Sequence, residues 1–251
     1  MQKERLVTRG LVLRVTETKE ADDILTVLTA EHGKLTVIAR GARRKTSKVS
    51  AVAQLLAFSE MTLYERNGFW MLSEGSTIEL FDGLRRDVEL LSLGSYFAQM
   101  AEEVSVDGAD AVPVLSLVLN ALFALDTLKK PQETVKAAFE LRLLSLSGYE
   151  PLLDDCAVCG APSPEEPVFD VGQGVVCCGK CAMRGEGIVS IDPSSLAAMR
   201  HIVLAPGKKL LSFSIDAAGG KKLAHACERF AAVQLDRNFK TLDFYKSIKL
   251  T

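Results

Sequence analysis

Ile24-Leu-Thr-Val-Leu-Thr-Ala-Glu-His-Gly-Lys-Leu-Thr-Val-Ile-Ala-Arg40 reads as two short strands joined by a turn. Residues 24–29 and 33–40 are rich in β-branched side chains, and Glu31-His32-Gly33 between them is turn-prone. Working outward, the pattern repeats. Thr8–Thr16 precedes the pair; Met61–Arg66 and Phe69–Leu80 follow it, split by Asn67-Gly68, a strong hairpin signal. Five short strands within the first 80 residues predict a small closed β-barrel, of which the OB-fold is a common example.

From Asp82 the period changes. Leu84–Val104, Val114–Leu128 and Gln132–Leu146 carry apolar residues at helical spacing, and Pro113 and Pro131 stand where first turns begin. Two further helices are expected over Ser194–Val203 and Lys221–Leu235. The reading is α+β: an OB-fold barrel over residues 1–80, a helical domain over 81–150 and 191–251, and an inserted metal module over 151–190.

That module is expected from Cys156-Ala-Val-Cys159 and Cys178-Gly-Lys-Cys181, two C-x2-C knuckles separated by the eighteen residues 160–177. Such spacing lets four thiolates close on one tetrahedral zinc ion, and four cysteines leave no position for substrate or water. One structural Zn2+ per chain is therefore expected. Cys177 and Cys178 are adjacent, so either can supply the third ligand; Cys178 keeps the two-residue spacing and is preferred. Disulfides or free core cysteines are the alternatives. The polar Met1–Arg9 opening lacks a signal peptide, which implies a reducing cytoplasmic compartment where disulfides rarely persist. Cys227, alone in a helical pattern, reads as a small buried hydrophobe.

No catalytic constellation is visible. Gly174-Val-Val-Cys-Cys-Gly-Lys180 has the glycines and lysine of a phosphate loop, but Cys181 stands where Ser or Thr would reach magnesium. His32, His201 and His225 lie in no H-x-E or H-E-x-x-H context. The chain reads as a binding protein, not an enzyme. Charged residues interrupt every apolar run well short of the roughly eighteen residues a membrane span needs.

Charge points to the ligand. Residues 1–80 hold 12 Lys+Arg against 10 Asp+Glu, residues 81–170 hold 6 against 16, and residues 171–251 hold 12 against 6. Basic ends around an acidic middle suit a protein that meets a polyanion with some faces and proteins with others. Between His32 and Ser59 there is no acidic residue, whereas Arg40, Arg43, Arg44, Lys45 and Lys48 crowd one inter-strand loop. On a barrel these five are candidate DNA-binding residues that neutralise phosphates without reading bases. The alternative is a solvated loop. Phe58, Tyr64, Phe69 and Trp70 are candidate stacking platforms, although Phe69 and Trp70 are adjacent on one strand, so at most one can face the core.

The order of parts resembles the RecO family. The resemblance rests on Gly10-Leu-Val-Leu-Arg14, Glu20-Ala-Asp-Asp-Ile-Leu-Thr-Val-Leu-Thr29, Glu31-His-Gly-Lys34 and Ala39-Arg-Gly-Ala-Arg-Arg44. It continues through Gly148-Tyr-Glu-Pro151, the knuckles, and Arg237-Asn-Phe-Lys-Thr-Leu242 to Tyr245-Lys-Ser-Ile248. It implies a recombination mediator in DNA repair that binds single- and double-stranded DNA. It further implies annealing of strands coated with single-strand-binding protein (SSB) and action with RecR to load RecA. The implied partners are DNA, RecR and the acidic, apolar C-terminal tail of SSB, and the implied location is the cytoplasm, at the nucleoid. Lys208, Lys209, Lys221, Lys222 and Arg229 supply positive charge suited to that tail. Barrel and knuckles alone leave open a protein that binds RNA or the ribosome.

Overall fold

A computed structural model describes residues 5–249 except 183, 184 and 186, so residues 1–4 of the expected barrel and three residues of the expected metal module lie outside the described residues. The chain divides into two compact units: Met1–Asp126 with Phe239–Thr251, and Thr127–Asn238.

The first unit is built on the closed five-stranded barrel that the sequence predicts, with its strands in the order β1-β2-β3-β5-β4. Its strands are β1 (Arg5–Thr18), β2 (Asp22–Thr29), β3 (Gly33–Ala39), β4 (Phe58–Arg66) and β5 (Phe69–Glu79). All pairings are antiparallel except β3 with β5. Closure depends on the length of β1: Arg5–Leu11 pairs with β4 and Gly10–Thr18 with β2, and the register shifts between Val12 and Arg14. A strand serving two neighbours must bend, and a bulge supplies the bend. Val12, Leu25, Val27, Val37, Met61 and Leu63 fill the interior from alternate positions.

The 40–57 connection has turns and bends but no regular element. It is anchored nonetheless, because Ala42, Val49, Val52 and Ala53 are buried in the barrel core. After the barrel come α1 (Asp82–Arg85), α2 (Val88–Val104) and α3 (Val112–Asp126). The sequence predicts one helix over 84–104; the structure breaks it. Asp87 is extended, and its carboxylate accepts from the Glu89 and Leu90 amides at 2.9 and 3.1 Å, starting a new helix. The same unit receives α7 (Lys240–Lys249), which buries Leu242 and Tyr245, while Phe239 meets the edge of Tyr96 at 5.5 Å.

The second unit holds α4 (Gln132–Leu146), the strands β6 (Val168–Asp170), β7 (Val175–Cys177) and β8 (Ile188–Ser190), then α5 (Pro193–Leu204) and α6 (Ala217–Gln234). The small sheet runs β7-β6-β8 and packs on α6 through Phe169 against Phe230, 5.1 Å apart. Lys136 on α4 is almost wholly buried, with its ammonium 2.8 Å from both Glu140 and Glu228. This ties α4 to α6 in one register, because a shifted α6 would leave charges buried without their partner.

Candidate metal centre and nucleic-acid interface

The first knuckle sits on a turn in which the Gly160 amide donates to Cys156 O at 2.8 Å, with Gly160 at φ +71°. The Ala157 amide donates to Val176 O at 2.9 Å, tying this turn to β7. The second knuckle follows β7 directly, and the Cys181 and Ala182 amides both donate to Cys178 O. Across the pair, the Cys178 amide donates to Cys156 Sγ at 3.2 Å. The sulfurs of Cys156, Cys159, Cys178 and Cys181 all lie within 4.8 Å of one another, and Cys159 and Cys178 are 3.9 Å apart. Four thiolates about 2.3 Å from one tetrahedral zinc stand about 3.8 Å from each other, so the donor set fits the metal.

Amides from Cys159 and Cys178 stabilise the Cys156 thiolate and hold its pKa at about 6. Cys181 is pushed up to about 12, chiefly by its hydrogen bond with the Cys159 thiol and by burial. Sulfurs this close cannot all ionise without a cation among them, and a metal ion is the group that resolves the conflict. Cys177 ends β7, buried in the same apolar cluster, but the converging set contains Cys178. Cys227 is fully buried in the second unit, and burial pushes its thiol up.

Arg40, Arg43, Arg44, Lys45 and Lys48 are all exposed. Arg43 is nonetheless held against the protein surface: Nη1 lies 2.7 Å from Glu17 Oε2, Nε lies 3.1 Å from Asp23 Oδ1, and Nη2 donates to the Thr18 and Lys19 carbonyls. Asp23 is 4% exposed, and burial pushes its carboxyl up while Arg43 opposes the shift. Of the aromatics, Trp70 packs against the barrel core and its neighbour Phe69 is 54% exposed. The registers Ile24–Ile38, Ile38–Met71 and Tyr64–Met71 place these four on the outer face of the barrel, since Val37 and Trp70 take the inner one.

On α6 the cations Lys221, Lys222 and Arg229 are exposed. Leu223, Ala226, Cys227 and Phe230 are spent in the core, and Lys222 is 3.3 Å from Asp192. An apolar groove missed from sequence lies between α2 and α7. It encloses about 320 Å³, walled by Val88, Leu91 and Phe244, with Lys240 beside them. Phe244 is 53% and Val88 62% exposed. Its sequence signal is faint, because the walls come from helices some 150 residues apart, roughly a domain's length.

Residues 1–81 match the family model "Recombination protein O N terminal" and residues 85–243 match "Recombination protein O C terminal". The DNA repair protein RecO of Acetivibrio thermocellus is 30% identical over 243 residues, covering 97% of each chain. That of Anaeromyxobacter dehalogenans strain 2CP-C is 31% identical over 248 residues, covering 98% of this chain and 97% of its own. That of Heliobacterium modesticaldum is 35% identical over 202 residues, covering 78% and 72%. With both halves matched by family models and near-complete alignment to such relatives, this chain belongs to the RecO family of DNA repair proteins.

Proposed function

We propose that the protein is a recombination mediator that anneals complementary DNA strands by binding, without bond chemistry. The observation that carries this is the exposed cationic set Arg40, Arg44, Lys45 and Lys48 on an anchored barrel loop. Two complementary strands repel each other, and a surface that neutralises phosphates on both lets pairing find its register. Phe69, exposed on a strand that pairs with β3, offers a face on which an unpaired base can stack.

SSB obstructs pairing on coated strands. A contact to its acidic, apolar tail would hold the annealer there at high effective concentration. The groove between α2 and α7 suits such a tail: an apolar end fills the space beside Phe244 and Val88, and Lys240 meets the acidic charge. Joint action with RecR in loading RecA belongs to the same reading. The metal is zinc, bound by Cys156, Cys159, Cys178 and Cys181; when bound it cross-links the two knuckles and contributes folding free energy to them.

The test is a titration of single-stranded DNA at several salt concentrations. Each phosphate contact contributes roughly 0.7 to the logarithmic salt slope, so replacing Arg40, Arg44, Lys45 and Lys48 by Ala should flatten it by about 2–3. An unchanged slope would reduce the run to a solvated loop. Tighter binding of structured RNA in competition would favour an RNA-binding role instead.

A further inference from the structure

Arg43 stands at the centre of the basic run in sequence, yet it spends its guanidinium on the protein. Its side chain reaches Glu17, Asp23 and the carbonyls of Thr18 and Lys19, all in or beside the turn from β1 to β2. Backbone contacts reinforce the attachment: the Arg43 amide donates to Ala21 O at 3.1 Å, and the Gly41 amide to Asp22 Oδ1 at 2.8 Å. Two further turns then wind the loop outward, closed by Arg44 N to Gly41 O and Ser47 N to Arg44 O. These contacts engage four of the five guanidinium N–H donors, so a phosphate could grip Arg43 with two hydrogen bonds only by displacing one of these partners, and taking Nε would strip the buried Asp23 of its cation.

We propose that Arg43 is a positioning residue, a clasp that fastens the root of the basic loop to the β1–β2 turn and so fixes where Arg44, Lys45 and Lys48 meet phosphate. This rests on the DNA-binding reading above and deepens it. The acidic cluster Glu17, Asp22 and Asp23 is the socket of that clasp: Glu17 and Asp23 take the side chain, and Asp22 takes the Gly41 amide. Only a planar fork can hold two carboxylates and two carbonyls in different directions at once; a lysine ammonium, a point charge, cannot.

The test uses the full chain and combines salt-dependent titration of single-stranded DNA with limited trypsin digestion. Arg44→Ala and Lys45→Ala should each flatten the salt slope by about 0.7. Arg43→Ala should weaken binding at every salt concentration with a much smaller change of slope, and Arg43→Lys should not restore affinity. Without DNA, Arg43→Ala should be cut faster after Arg44 and Lys45 than the parent. A slope loss of about 0.7 in Arg43→Ala, regained in Arg43→Lys, would make Arg43 an ordinary phosphate ligand and overturn the proposal. So would unchanged affinity together with unchanged cleavage.

If Arg43→Ala does not fold, Glu17→Gln loosens the clasp at a position whose side chain is 72% exposed. That change removes a negative charge, so a phosphate-ligand role predicts tighter DNA binding and a clasp predicts weaker binding. Failure of the parent to bind DNA would sink the functional reading alone, and the trypsin comparison would still decide whether the clasp exists.

Discussion

At Gly33 the backbone turns with φ +59°, and an added Cβ would lie 2.2 Å from Val106 O and 2.7 Å from Ala109 O. Neither carbonyl belongs to a side chain that can swing aside. The Lys34 amide also donates to Val106 O, and its ammonium to Glu102 O at 3.1 Å. Glu31-His-Gly-Lys34 therefore fastens the barrel to the segment after α2. Gly33→Ala combines left-handed strain with a backbone clash and should cost about 2–4 kcal/mol in chemical denaturation. A loss below about 0.5 kcal/mol would show that the turn yields easily. The knuckle cysteines were legible because their spacing is local. The pairing of Arg43 was not, because its partner Glu17 is 26 residues away and composition does not reveal which cations are paired. The neighbouring thiols separate in the same way: Cys178→Ser should lose metal in elemental analysis, whereas Cys177→Ser should keep it. Metal loss on changing Cys177 and retention on changing Cys178 would exchange their roles.

Among elements, the barrel strands and long helices could be read because each spans several periods of its pattern. The strands β6, β7 and β8 have three residues each, too few to show alternation. The start of α6 was misjudged because Gly219 and Gly220 argue against helix; Asp216, accepting from the Gly219 amide at 2.8 Å, offsets them. The short, lysine-rich α7 offers little propensity and depends on packing against α2, where Thr241 donates to Gln99 at 2.6 Å. Their groove is lined by Phe244 and Val88. Phe244→Ala should weaken binding of an SSB tail peptide roughly tenfold, the weight of an aromatic anchor, while Lys221→Ala leaves it unchanged. The reverse pattern would move the partner site to α6.

For the whole molecule, the boundaries read from periodicity and cysteine spacing and those drawn by contacts express different things. Periodicity follows the sequence, whereas the segment from Phe239 onward returns to the unit that begins the chain. The four-cysteine site lies in the other unit, so the effect of a metal bound there on stability should be selective. A chelator should lower the melting temperature of the unit holding α4 and the knuckles and leave the barrel's transition near its original value, as followed by Trp70 fluorescence. A single transition that shifts as one would show that the two units unfold together.

In the proposed function, strands anneal by charge neutralisation and not by catalysis. The direct measurement is the rate at which purified protein anneals SSB-coated complementary oligonucleotides with no nucleotide present. The parent should anneal them, the variant with Arg40, Arg44, Lys45 and Lys48 all changed to Ala should be slow, and the rate should fall as salt rises. Annealing by that variant at the parental rate, or an absolute requirement for a nucleoside triphosphate, would contradict it.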